Sequence, residues 1–136
     1  MIILICGLPG SGKTFLAKAL YDKLLNDNVV WYNADAIRAE LDDWDFTYEG
    51  RLRQAQRMRQ NAEKHDGIVI VDMIAPLPEF RDEIAPDILV WVDTIKEGRF
   101  EDTNRIFIAP EHYDFRVTEQ DCDKWSEIIL PSVKSI

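Results

Sequence analysis

The 136-residue sequence predicts a three-layer α/β fold, in which a parallel five-stranded sheet carries helices on both faces. Two observations predict this fold. Short apolar runs rich in β-branched residues alternate along the chain with segments whose apolar residues recur at helical spacing. Strands that alternate with helices in this way are typical of a parallel sheet that is covered on both sides. Because the length suits one hydrophobic core, we expect residues 1–136 to form a single domain.

In the first half of the chain, strands are predicted at residues 2–6, 29–32 and 68–71. A helix that ends before Asn26 is predicted between the first two strands, because these apolar residues recur at helical spacing: Phe15, Leu16, Ala17, Leu20, Tyr21, Leu24 and Leu25. A second long helix is predicted to begin at Tyr48 and to end before Gly67. Its apolar face is formed by Leu52, Ala55, Met58 and Ala62.

In the second half, a short helix is predicted near Pro78, followed by strands at residues 88–92 and 115–117. Thr118 and Asp121 indicate the start of a last helix. The apolar face of this helix is expected to hold Trp125, Ile128 and Ile129. Residues 94–113 are mixed in charge and have no clear period, so they are the natural place for a short mobile lid.

The composition excludes several functions. The chain has 16 basic and 25 acidic residues and a net charge of −9, which repels nucleic-acid backbones, so a nucleic-acid partner is not expected. The apolar runs are far shorter than the ~20 residues that span a bilayer. With no basic leader or cleavage signal in view, a cytoplasmic location is expected. Cys6 and Cys122 fit neither a metal spacing nor a disulfide in that compartment.

Directly after the first strand, residues 7–14 fit the pattern G-x-x-x-x-G-K-[ST] and precede a helix. Such a loop turns backbone N–H groups toward phosphates, while Lys13 adds a positive charge and the Thr14 hydroxyl binds Mg²⁺. A plain glycine turn is the alternative. The motif predicts ATP and Mg²⁺ as cofactors, with Thr14 as the metal ligand and Lys13 as a catalytic residue. The residues expected to bind the nucleotide are Gly7, Pro9, Gly10, Ser11, Gly12, Lys13 and Thr14.

Acidic residues follow three other predicted strands, at the edge where open α/β sheets bind ligands. They are Asp35, Asp72 and Asp93. Asp35 can accept a proton from an incoming hydroxyl group or hold a magnesium-bound water. The alternative for Asp35 is a helix cap.

Four segments, residues 7–14, 33–38, 46–51 and 74–81, resemble the motifs of the adenylylsulfate kinase family. These P-loop enzymes use ATP to phosphorylate the 3′-hydroxyl of adenosine 5′-phosphosulfate. Residues 33–38 resemble the family's Asp-Gly-Asp-x-x-Arg segment, with Asn33 in place of the first Asp. Residues 46–51 resemble Phe-Ser-x-x-x-Arg, and residues 74–76 with Arg81 resemble Ile-Ser-Pro and the arginine beyond it.

The resemblance implies a role for each matching residue. Asp35 is the implied base, Arg38 and Arg51 hold the phosphosulfate, and Phe46 stacks on the substrate adenine. Phe46 as a core aromatic is the alternative. Gln54, which stands where the family has an Asn, is also implied to line the substrate site, together with Ile74 and Arg81. For Arg53, Arg57 and Arg59 we prefer a solvated helix face.

The family's Lys-Gly-Leu-Tyr and Phe-Thr-Gly lid segments are not visible, so the chain resembles a shortened form. Arg99, Arg105 and Phe107 are the candidate lid residues. Surface ion pairs with Glu97, Glu101 or Asp102 are the alternative for the two arginines.

The predicted function is that of an ATP-dependent small-molecule kinase that acts on adenosine 5′-phosphosulfate in sulfate assimilation. Two alternatives stay open, a polynucleotide 5′-hydroxyl kinase and a non-catalytic nucleotide-binding domain. The expected partner is the small-molecule substrate, no membrane partner is expected, and a homodimer stays open.

Overall fold

The computed structural model describes residues 1–98 and 100–134. Its elements follow one another as β1 (Ile2–Gly7), α1 (Lys13–Lys23), β2 (Val29–Asn33), α2 (Ala34–Leu41), α3 (Tyr48–Glu63), β3 (Ile68–Asp72), α4 (Pro78–Ile84), β4 (Ile88–Val92), α5 (Glu101–Ile106), β5 (Phe115–Val117) and α6 (Cys122–Lys134). The five strands form one sheet in the order β2-β3-β1-β4-β5. All neighbouring strands are parallel, which confirms the predicted fold class.

Two apolar clusters, one on each face of the sheet, produce the three layers. The side chains of β1 alternate between the clusters, so that Leu4 packs with α3 and α4 while Ile5 packs with α1 and α6. Every residue of β1 is buried because helices cover both faces.

The parallel register brings the carboxyl ends of three strands together. Asn33 at the end of β2 pairs with Asp72 at the end of β3, and Asp72 in turn pairs with Ile5 of β1. The loop that follows β1 therefore begins beside Asn33 and Asp72.

Two of the predicted helices differ in detail. α1 ends at Lys23, so Leu25 lies beyond the helix and is 58% exposed. Within α1 only one face contacts the sheet, and Phe15, on another face, is 73% exposed. α6 begins at Cys122, not at Thr118, because the Asp121 carboxylate accepts a hydrogen bond of 3.2 Å from the backbone N–H of Lys124. In α6 the buried positions include Ile129, whereas Ile128 is exposed.

The stretch predicted to be irregular contains the helix α5. Both cysteines are free, and burial raises the pKa of the Cys6 thiol to about 11, so this thiol is unreactive. Among the helices of the described residues, none is long and apolar enough to cross a membrane.

Candidate active site

A cavity of about 670 Å³ opens at the carboxyl edge of the sheet. Its wall contains part of the loop at residues 7–14, called the phosphate loop below. It also contains the start of α2, the first turns of α3, the loop after β3 and part of α5. Predicted site residues in the wall are Pro9, Gly10, Gly12, Lys13, Thr14, Asp35, Arg38, Phe46, Arg51, Gln54 and Ile74.

The phosphate loop between β1 and α1 has the backbone that its sequence predicts. Gly10 and Gly12 have φ angles of 85° and 104°, in a region of backbone conformation that residues other than glycine rarely adopt. Lys13 is buried and donates a hydrogen bond of 3.0 Å to the carbonyl of Leu8. Within the described part of the chain, the buried Ser11 hydroxyl has no hydrogen-bond partner. An unsatisfied donor beside a lysine and a helix N-terminus suits a bound phosphate.

The side-chain oxygens of Thr14 and Asp72 lie together beside this loop. The Thr14 hydroxyl donates a hydrogen bond of 3.0 Å to Asp72 Oδ2, and the Asn33 amide donates another of 2.9 Å to the same oxygen. Burial raises the pKa of Asp72, although the hydrogen bond from Asn33 and the charge of Lys13 oppose the shift. Hydroxyl and carboxylate oxygens are the ligands that Mg²⁺ prefers, so these two residues fit the metal.

Asp35 lies in the first turn of α2, exposed and in the cavity wall. The cap of α2 is Asn33, whose side-chain oxygen accepts a hydrogen bond of 2.9 Å from the backbone N–H of Ala36. The helix-cap interpretation of Asp35 is therefore wrong. Its carboxylate faces a space that a hydroxyl group can enter.

Arg38 of α2 and Arg51 of α3 are two buried cations that line the cavity. Arg38 donates hydrogen bonds to the carbonyls of Asp43 and Asp45, at 2.8 and 3.2 Å. Arg51 donates one of 2.9 Å to the carbonyl of Phe46. The two guanidinium carbons lie 4.5 and 5.3 Å from the centre of the Phe46 ring. Phe46 is 45% exposed, so it is not a core aromatic.

Gln54 and Ile74 line the cavity, whereas Arg81 lies outside its wall. Gln54 is buried and donates a hydrogen bond of 3.0 Å to the carbonyl of Ala34, which holds α2 on α3. Arg81 donates hydrogen bonds to the carbonyls of Ala75, Pro76 and Ile108. The structure thus gives Arg81 contacts that position the loop after β3, in which Ala75 has a left-handed φ of 44°.

Residues 94–113, the lid segment, contact both ends of the cavity. Phe100, Asp102 and Thr103 lie in the wall. Arg105 is exposed and pairs with Glu101 at 3.3 Å, so the surface-pair alternative is the one found. The ring of Phe107 lies under Arg81 and outside the wall. Arg99, the third candidate, lies outside the described residues.

The other arginines of α3 are ion-paired with acidic residues. Arg53 and Arg57 pair with Asp43 at 3.1 and 2.9 Å, and Arg59 pairs with Glu63 at 2.8 Å. All three lie outside the cavity wall. Arg53 is on the solvated face that was expected, whereas Arg57 and Arg59 are half-buried.

The family model for adenylylsulphate kinase matches residues 1–97, which is more than half of the chain. The chain belongs to the adenylylsulphate kinase family. Family and fold together make it a P-loop kinase. The match ends at the beginning of the lid segment, where the sequence departs from the family's lid motifs.

Several solved structures share the fold of this family member. The crystal structure of APE1195 has a TM-score of 0.87 and 22% identity, with 100% of this chain and 96% of that chain covered. The Mycobacterium tuberculosis APS kinase in complex with AMPPNP and APS has a TM-score of 0.78 and 21% identity, covering 98% and 96%. Shikimate kinase from Acinetobacter baumannii has a TM-score of 0.64 and 16% identity, covering 98% and 93%. A search of curated proteins gives no significant match.

In this adenylylsulphate kinase family member, the cavity wall also contains residues that the sequence did not predict as site residues: Phe15, Trp44, Phe100, Asp102, Thr103 and Gln120. Trp44 lies between two recognisable motifs, and its ring centre is 6.5 Å from that of Phe46. Gln120 donates hydrogen bonds of 3.2 Å to the carbonyls of Gly10 and Ser11. Neither residue belongs to a motif, so the spacing patterns of the sequence provided no signal for either of them.

Proposed function

We propose that the protein transfers the γ-phosphoryl group of MgATP to the 3′-hydroxyl of adenosine 5′-phosphosulfate. One observation carries the proposal. A single cavity joins the phosphate loop to two buried arginines, and a carboxylate lies in the same wall. The family match supports the acceptor, as does the fold shared with an APS kinase solved with AMPPNP and APS.

The part of the cavity that binds the phosphate donor ATP supplies positive charge and positions the γ-phosphoryl group. The loop N–H groups and Lys13 bind the phosphates of ATP, while Thr14 and Asp72 hold Mg²⁺. When bound, the metal neutralises charge on the transferring phosphoryl group. Asn33 fixes the Asp72 carboxylate through its hydrogen bond of 2.9 Å.

The acceptor side binds an anionic nucleotide. Arginine forks match the oxygens of phosphate and sulfate, and Arg38 and Arg51 are held close together by α2 and α3. The exposed part of the Phe46 ring offers a stacking surface for adenine, worth about 1 to 3 kcal/mol per base. The chain carries a net charge of −9, so this concentration of cations is a local feature of the cavity.

In the reaction, the acceptor hydroxyl oxygen forms a bond to the γ-phosphorus and the bond from that phosphorus to the bridging oxygen of ADP breaks. Asp35 accepts the proton of the hydroxyl group. Most of the acceleration comes from positioning and charge stabilisation, as is usual for phosphoryl transfer.

The test is an acceptor screen with labelled ATP and four acceptors: adenosine 5′-phosphosulfate, shikimate, gluconate and a 5′-hydroxyl oligonucleotide. We expect turnover with the first. Turnover with the oligonucleotide alone supports a polynucleotide kinase instead. Nucleotide binding without turnover on any acceptor supports a non-catalytic nucleotide-binding domain.

A further inference from the structure

The lid segment brings the carboxylate of Asp102 into contact with Arg51, one of the two arginines that the proposed function assigns to the acceptor. Asp102, in the first turn of α5, lies 3.6 Å from an Nη atom of Arg51, although 51 residues separate the two in the sequence. Both residues line the cavity. The contact thus lies inside the space that a substrate has to enter.

The two partners differ sharply in their surroundings. The side chain of Arg51 is 7% exposed and that of Asp102 is 71% exposed. Burial lowers the pKa of Arg51, and the charge of Asp102 opposes this shift. Burial also lowers the pKa of Arg38, the charge of Asp43 opposes that shift, and the nearby charge of Arg51 adds to it, so the site holds two cations that repel each other. An anion beside Arg51 relieves both effects.

We propose that Asp102 occupies the anion position at Arg51 in the substrate-free protein and that an oxyanion of the acceptor displaces it. This inference rests on the proposed function, in which Arg51 binds the acceptor. The lid carboxylate acts as an internal competitor, and the acceptor releases the lid from α3 when it binds.

An internal competitor sets an affinity threshold. It weakens the binding of every anion at Arg51 by the same factor, so the ratio between the affinities of two anions does not change. Small anions such as inorganic sulfate have few other contacts in the cavity, so the competitor removes a large part of their binding free energy. An acceptor that also stacks its base and binds a second arginine remains bound.

The test compares wild type with Asp102→Asn, which removes the charge at an exposed position and keeps the size. The matched control is Glu101→Gln, since Glu101 lies on the same turn, is 71% exposed and pairs with Arg105. Sulfate binding is measured by calorimetry with saturating MgADP, so that the phosphate loop is occupied, against chloride at equal ionic strength. We expect sulfate affinity to rise about three- to tenfold in Asp102→Asn and to stay unchanged in Glu101→Gln.

Turnover gives a second measurement. Because the contact exists only before the acceptor binds, Asp102→Asn should lower the acceptor KM by the same factor and leave kcat unchanged. Equal sulfate affinity in wild type and Asp102→Asn, including no binding in either, overturns the inference even if adenosine 5′-phosphosulfate is a substrate. A gain in sulfate affinity without turnover of that acceptor keeps the inference and rejects the proposed substrate. A raised acceptor KM would show that Asp102 binds the acceptor itself.

Discussion

The side-chain amide of Asn33 links the two halves of the candidate active site: it donates to Asp72 across 2.9 Å, and its oxygen caps α2 at 2.9 Å. The helix that carries Asp35 and Arg38 is thereby fixed relative to the carboxylate of Asp72. An amide suits both contacts, because it offers a donor and an acceptor at once.

Asp72→Asn should stabilise the nucleotide-free protein at neutral pH. Burial raises the pKa of Asp72 in the folded state, so the folded state binds more protons than the unfolded state between the ordinary and the raised pKa. Stability therefore falls as pH rises through that window, and the substitution removes this loss. We expect a higher Tm at pH 7 in Mg²⁺-free buffer, no gain at a pH below the window, and loss of Mg²⁺-dependent turnover. A lower Tm at pH 7 would contradict this account.

Asp35→Asn should lower turnover by about 10²-fold, the usual contribution of a positioned base. Stability should hardly change, because Asn33 and not Asp35 caps α2. Affinity for ATP should stay near that of wild type. Asp42→Asn is the matched control, since Asp42 is exposed at the other end of α2 with a φ of 49°, which asparagine accepts. Near-normal turnover in Asp35→Asn would show that Asp35 is not the base, and Asp72 would then be the candidate for that role.

Arg51→Ala should raise the acceptor KM about tenfold or more and change the ATP KM much less. The expected magnitude follows from the 1.5 to 3 kcal/mol, roughly, of a hydrogen bond to a charged group. Arg105→Ala is the control, because Arg105 is exposed, pairs with Glu101 and lies outside the cavity wall. Steady-state kinetics with both substrates varied gives the result. A larger effect on the ATP KM would assign Arg51 to the donor side.

Lys13→Ala should weaken MgADP binding by roughly 10- to 100-fold, measured by calorimetry, because a charge-assisted contact to phosphate is lost. Lys18→Ala serves as the control, since Lys18 lies on the exposed face of α1 and pairs with Asp22 at 2.8 Å. Circular dichroism establishes that both variants are folded. Unchanged affinity in a folded Lys13→Ala protein would remove the basis of the proposed function.

Local patterns predicted the sheet and the phosphate loop, because strand periodicity and the G-x-x-x-x-G-K-[ST] spacing are properties of adjacent residues. Local sequence could not decide whether Asn33 or Asp35 caps α2. Both residue types cap helices well, and the register of β2 with β3 decides between them by keeping Asn33 as the last strand residue beside Asp72.

The contacts of the lid segment could not be predicted from the sequence either, because they join residues that are far apart in the chain. Asp102 pairs with a residue of α3 and not with the nearby Arg105, and this depends on the path of the chain between residues 94 and 113. Arg81 shows the same limit. Its place in a motif is clear from the sequence, but its three carbonyl partners are known only from the fold.

The lid segment is also fastened to the donor side. Thr94 donates a hydrogen bond of 2.6 Å to the carbonyl of Ser11, and a Cβ atom at Gly98 would lie 3.0 Å from Pro9 Cδ. One segment therefore touches both the phosphate loop and Arg51, the residues that the proposed function assigns to ATP and to the acceptor. Thermodynamic linkage is reciprocal, so a nucleotide that shifts this segment changes acceptor affinity by the same factor as the acceptor changes nucleotide affinity. If ATP draws Gly98 toward Pro9 or pushes it away, the same segment carries that change to Arg51, and the proposed function then requires the two substrates to bind cooperatively, with a sign set by the direction of the shift.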